Sequence, residues 1–259
     1  MYKKYNLENV IIDESAPYVQ KYKHLFDNQQ NIVRSALDAY ILKDGIIDGD
    51  KIREDWFPTD INAKIFISHS HYDQKLAVNL ACWIYANFHI MSFIDSCVWG
   101  YANDLLLKLD ARYCKKENGL YDYDKRNCST SHVHIILTTA LNKMIDRAEC
   151  LFFLNTQNSI KFKGIEDKTL SPWIYSELET ARTIRVNIPT RWQSKYCFFS
   201  YSGQLKEARE TSDFKVAYAV DTSQLYNLKS ETLQLWRKKT SISNLIEEKA
   251  LDALYSITE

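Results

Sequence analysis

The sequence predicts an α/β fold in which a parallel sheet is covered by helices on both faces. Three observations lead there. Short apolar runs that end in polar residues, at 64–68, 91–95 and 150–155, have the length and composition of strands buried on both sides. Stretches of helical period lie between and after them, and that alternation is the signature of a parallel sheet with crossover helices. Only six glycines and four prolines punctuate the 259 residues, which favours filled secondary structure over long linkers.

Each element follows in order. Residues 1–60 are rich in tyrosine and charge and read as a mainly helical N-terminal extension. Within it, 17–43 has Tyr18, Tyr22, Leu25, Phe26, Val33, Leu37 and Tyr40 near helical spacing, 43–50 reads as a turn, and Trp56-Phe-Pro58 leads into the main domain at 61–259. After the strand at 64–68, a helix from about Asp73 carries Leu76, Leu80, Ile84 and Phe88 on one stripe. The strand at 91–95 precedes a helix at 102–113 through Leu105, Leu106 and Leu109, and then a charged, tyrosine-rich loop over 115–127. Ser131 is placed to cap a helix bearing Ile135, Ile136, Leu141 and Ile145. Beyond the strand at 150–155, Ser171 suits an N-cap and Pro172 the first position of a helix over 172–185. Residues 196–200 and 214–220 are expected as the fourth and fifth strands, and C-terminal helices fall at 230–239 and 242–256.

Composition narrows the partners. Equal totals of 33 basic and 33 acidic residues argue against broad nucleic-acid binding. The longest apolar runs, such as Cys150-Leu-Phe-Phe-Leu154, are far too short to span a bilayer, and the first residues lack the apolar stretch of a secretory signal. A cytoplasmic location is therefore expected. Cys82, Cys97, Cys114, Cys128, Cys150 and Cys197 form no C-x-x-C pair and read as reduced thiols. His69-x-His71 and His132-x-His134 invite a metal reading, but no further ligand has suitable spacing, so no metal is expected.

The candidate chemistry gathers at one edge. Ser68, Asp95 and Asn155 each end a predicted strand at the carboxyl edge, where ligands bind in open parallel sheets. In Ser171-Pro-Trp-Ile-Tyr-Ser-Glu177, Trp173 and Glu177 stand four apart and share a helix face. An aromatic plate beside a carboxylate can hold a flat ligand and stabilise positive charge.

Ile65-Phe-Ile-Ser-His-Ser-His-Tyr-Asp73 resembles the opening strand and loop of a TIR (Toll/interleukin-1 receptor) domain. Phe93-Ile-Asp95 is similar to its second strand, and Trp173-x-x-x-Glu177 to the helix bearing the glutamate of NAD-cleaving members. The resemblance covers roughly residues 63–222 and implies a flavodoxin-like fold with a five-stranded parallel sheet. It implies NAD+ as substrate with no resident cofactor, Glu177 as catalytic carboxylate, and cleavage of the nicotinamide–ribose bond. Ser68, His69 and Ser70 would donate hydrogen bonds to ribose or phosphate, Asp95 would sit in the substrate site, Trp99 would serve as a lid, and Trp173 would stack on a base. Many bacterial members make an ADP-ribose-derived signal, often cyclised, that acts on an effector in antiphage defence of the Thoeris kind. Others are non-catalytic adaptors that assemble through TIR–TIR contacts, and self-association is expected in either case. The chain departs from the pattern at Phe88-His-Ile-Met91, where the family often has a glycine, and in the large segment 97–130.

Plainer roles stand beside these. Glu177 could be a solvated helix residue, Trp173 could pack into the core, Ser68 could cap the helix near Asp73, and Asp95 could bond its own backbone. A nucleoside-processing enzyme of another flavodoxin-like family, similar to the deoxyribosyltransferases, would also use a carboxylate at this edge.

Overall fold

The computed structural model describes residues 1–27, 37–42, 45–59, 61–94, 96–160, 168–195 and 217–258, with backbone alone at 97–101 and 193–195. In chain order the elements are β1 (Lys3–Glu8), α1 (Pro17–Asp27), α2 (Gly49–Trp56), β2 (Ile65–Ser68), α3 (Gln74–Phe88), β3 (Ser92–Ile94), α4 (Ser96–Leu109), α5 (Tyr123–Arg147) and β4 (Cys150–Asn155). There follow β5 (Lys168–Thr169), α6 (Pro172–Thr183), β6 (Tyr218–Ala219), β7 (Tyr226–Leu228), α7 (Ser230–Ser243) and α8 (Glu247–Ile257).

The central sheet has five strands in the order β3-β2-β4-β1-β7, and every pairing is parallel. Helices cover both faces. On one, α1, α3, α7 and α8 pack around Tyr5, Ile67, Phe152 and Trp236. On the other, α2, α4, α5 and α6 pack around Phe66, Phe93, Leu151 and Phe153. The α/β architecture expected from the sequence is what forms, and its all-parallel five-stranded sheet with helices on both faces is consistent with a flavodoxin-like fold, although the N-terminal strand sits between β4 and β7, an order different from the usual 2-1-3-4-5.

The strands expected at 64–68, 91–95 and 150–155 form at Ile65–Ser68, Ser92–Ile94 and Cys150–Asn155, with Asp95 outside the described residues, and the other two sheet positions are filled differently. Residues 1–60 are not simply a helical extension: β1 lies between β4 and β7, with Tyr5 aligned to both Phe152 and Tyr226. Charge hid this strand, because Lys3-Lys-Tyr-Asn-Leu-Glu8 lacks an apolar run. Lys3 is nevertheless 7% exposed, since its ammonium donates to the carbonyls of Tyr255 and Thr258 at 3.2 and 3.5 Å. Those carbonyls end α8, where a cation is favoured. The expected strand at 196–200 lies outside the described residues. Of that expected at 214–220, Tyr218–Ala219 pairs antiparallel with β5, apart from the central sheet.

Helix ends differ where a better cap exists. α5 starts at Tyr123 because the Asp122 side chain accepts from the Lys125 amide at 3.1 Å. Ser131 therefore sits inside the helix, bonding back to the Asn127 carbonyl at 2.8 Å. Of the expected helix over 17–43, α1 covers Pro17–Asp27, Leu37–Tyr40 forms a separate 3₁₀ turn, and 28–36 and 43 lie outside the described residues. Trp56 closes α2 and donates to the Tyr40 hydroxyl at 3.2 Å in the core. Between α3 and β3, His89 has a φ of 57°, in the left-handed region that favours glycine.

Candidate active site

Three local structures bring the predicted site residues to the carboxyl edge. β2 delivers Ser68 as its last residue, fully buried. The loop beyond makes a 3₁₀ turn, His71–Asp73, closed by the Asp73 amide on the Ser70 carbonyl at 2.8 Å. The Asp73 carboxylate then accepts from Thr156 Oγ1 at 2.5 Å and Asn158 Nδ2 at 2.8 Å, fixing this loop to the one after β4.

The third is α6. The Ser171 hydroxyl accepts from the Ile174 amide at 3.3 Å, and Pro172 occupies the first turn, as the sequence predicts. Ile174, Glu177, Leu178 and Ala181 form the buried face of this helix, at helical spacing. Thr180 Oγ1 donates to Asn142 Oδ1 at 3.0 Å and ties α6 to α5. Glu177 is 1% exposed, and its Oε2 accepts from Ser68 Oγ at 2.7 Å. The surface reading of Glu177 is thus excluded, and Ser68 does not cap the following helix. A carboxylate taken out of water is costly unless hydrogen-bonded, and the Ser68 hydroxyl offsets part of that cost.

His69 is buried, with Nδ1 3.3 Å from the Ile67 carbonyl, and Ser70 is buried beside it. Trp173 is half-buried at the margin of the core and meets His134 of α5 edge-on, ring centroids 5.6 Å apart. Asp95 lies outside the described residues. Trp99 falls within α4 rather than in a loop, and its side chain is outside the described set.

His132 and His134 stand two apart inside α5, so they point in divergent directions and cannot jointly chelate. Among the described residues no group of three or more His, Cys, Asp or Glu side chains is arranged to hold a metal. No helix among them is long and apolar enough to cross a membrane. Cys82, Cys114 and Cys150 are buried and free, and Cys128 is exposed and free.

No family model, curated protein or solved structure matches this chain. The site is therefore read from its own geometry. A groove of about 410 Å³ between α1 and α3, lined by Val19, Lys23, Lys75, Val78 and Asn79, lies on the opposite face and contains none of the predicted residues. The carboxyl edge instead holds a fixed carboxyl group against the apolar core, where the field of any charge is less screened than in water. Sequence reasoning missed one part of this edge. Asn155 of β4 donates to Glu8 of β1 at 3.1 Å, and Glu8 goes unnoticed unless 3–8 is read as a strand. The period-two placement of Tyr5 and Leu7 was the available signal.

Proposed function

We propose that this chain cleaves the nicotinamide–ribose bond of NAD+, with Glu177 as the catalytic carboxylate. The observation that carries the reading is the buried Ser68–Glu177 hydrogen bond of 2.7 Å at the carboxyl edge of a parallel sheet. The residues that make it are those that resemble the first strand and the glutamate helix of TIR enzymes. Departure of nicotinamide leaves an oxocarbenium-like ribose, and a fixed carboxylate stabilises that charge as it develops. The Ser68 hydroxyl marks where a ribose hydroxyl would donate to Glu177 when substrate enters, as carboxylates accept in glycoside hydrolysis. His69 and Ser70 extend the same loop toward the sugar and phosphates, with Asp95, Trp99 and Trp173 completing the substrate site. Self-association through the TIR-like surface would open the buried carboxylate to substrate. The product, ADP-ribose or a cyclic isomer, would act on an effector in antiphage defence in the cytoplasm.

The test is incubation of concentrated protein with NAD+, chromatography for nicotinamide, and mass spectrometry of the nucleotide product. Glu177→Gln is expected to lower turnover by at least about a hundredfold with an unchanged melting profile. Turnover retained in that variant overturns the assignment. No nicotinamide from wild type, even at high concentration, favours an adaptor that only self-assembles.

A further inference from the structure

The carboxyl edge carries a second polar tier, built by the N-terminal strand. Tyr5 and Leu7 belong to the core on one face of the sheet, so alternation puts Lys4, Asn6 and Glu8 on the other. That is the face of Glu177. Asn6 and Ser68 both align with Phe153 of β4, and Phe153 shares its core with Ile174 and Leu178 of α6. Two strand spacings, about 10 Å, separate Asn6 from Ser68 along the edge.

The tier is ordered around one carboxylate oxygen. Asn6 Nδ2 donates to Glu8 Oε1 at 2.9 Å and to Asn227 Oδ1 at 3.1 Å, and Asn155 Nδ2 donates to the same Glu8 Oε1 at 3.1 Å. Three strands thus orient Glu8, which is exposed, and among the described residues its Oε2 accepts no hydrogen bond. Asn6 is 3% exposed, yet its Oδ1 is buried with no partner among the described residues. A buried amide carbonyl left without a donor is uncommon and points to a missing group. Two free acceptor oxygens are too few for a calcium ion, which takes six to eight, and two N–H groups already occupy Oε1. They suit hydroxyl donors, two of which adjoin on a ribose ring.

We infer that Glu8, oriented by Asn6 and Asn155, grips the vicinal hydroxyls of the dinucleotide's adenosine ribose at this edge, with the Asn6 carbonyl as the adjacent acceptor. This rests on the reading of the edge as a dinucleotide site and adds to it the residues that select a sugar bearing both hydroxyls. Glu8→Gln keeps the shape and the bonds to the two amides but turns the outward acceptor into a donor.

The experiment is calorimetric titration of ADP-ribose, and of an analogue whose adenosine ribose lacks its 2′ and 3′ hydroxyls, into the full wild-type chain and into Glu8→Gln. Removing the hydroxyls should weaken binding to wild type about tenfold or more, and change binding to Glu8→Gln by less than about threefold. An equal loss in both proteins, or no ADP-ribose binding by wild type, overturns the inference. With NAD+, Glu8→Gln should raise KM about tenfold while kcat is kept. Wild type that discriminates the hydroxyls but releases no nicotinamide leaves the grip standing and removes the cleavage reading. Nicotinamide release with unchanged KM and ADP-ribose affinity in Glu8→Gln removes the grip and leaves cleavage standing.

Discussion

Ser68→Ala isolates the hydrogen bond on which the site is built. The hydroxyl donates at 2.7 Å to a carboxylate that is 1% exposed, with Ser68 itself fully buried. A hydrogen bond to a charged group contributes about 1.5–3 kcal/mol, against about 0.5–1.5 kcal/mol for a neutral pair. The substitution should therefore destabilise by about 1.5–3 kcal/mol, or about 3–12 °C of Tm for a chain of this size. In a Glu177→Gln background the same change should cost about 0.5–1.5 kcal/mol, because the acceptor is neutral. In a Glu177→Leu background it should cost nothing within about 0.5 kcal/mol, because no acceptor is left. Urea unfolding at constant m reads all six proteins. An identical cost of Ser68→Ala in the wild-type and Glu177→Leu backgrounds would show that the two side chains are not coupled, and the geometric reasoning would fail.

Two further predictions concern the opposite edge of the sheet and the thiols. Arg191 donates to both oxygens of Glu149, at 3.0 and 2.5 Å, and to Asp252 of α8 at 2.8 Å, while the Tyr255 hydroxyl donates to Glu149 at 2.8 Å. Arg191→Met strands Glu149, so urea unfolding should show a loss of about 3 kcal/mol, part of which Glu149→Leu restores; a loss that the second change does not reduce would mean the arginine acts by packing alone. Burial pushes the Cys150 thiol well above its ordinary pKa of 9.0, and burial likewise raises Cys114, so both hold their protons at pH 8. Iodoacetamide followed by peptide mass mapping should label exposed Cys128 faster than Cys82, Cys114 or Cys150, with Cys150 silent until the protein unfolds. Rapid labelling of Cys150 in the native protein would contradict its burial.

Legibility followed the strength of local signals. Ile65–Ser68 and Cys150–Asn155 are apolar runs buried on both faces, and sequence shows such strands directly. α6 was visible from its cap, since Ser171 and Pro172 fix its start and so the direction of Glu177. That is why Ser68 and Glu177 are each legible as residues of this edge, whereas their hydrogen bond to one another is not. Lys3–Glu8 was not visible, because its lysine is accommodated by α8 carbonyls 252 residues away, a long-range circumstance that no window contains. Tyr226–Leu228 is only three residues long and gains its strand character from pairing with β1. The Glu8 tier disappeared with those two strands. At α5, Asp122 and Ser131 are both acceptable caps by type, and the bond from the Lys125 amide to the Asp122 side chain decides for the longer helix.

The position of Lys3–Glu8 in the middle of the sheet has a consequence for synthesis. Its partner, Cys150–Asn155, emerges from the ribosome after some 140 intervening residues, and its other neighbour, Tyr226–Leu228, later still. At about 5–20 residues per second that is a wait of roughly 7–30 s with backbone groups unpaired. The adjacent charges of Lys3 and Lys4 oppose mispairing with a foreign strand during the interval. Closure of the sheet is thus a late event, in which the first of its five strands to be made is stitched between the last two, and slow folding is its expected signature.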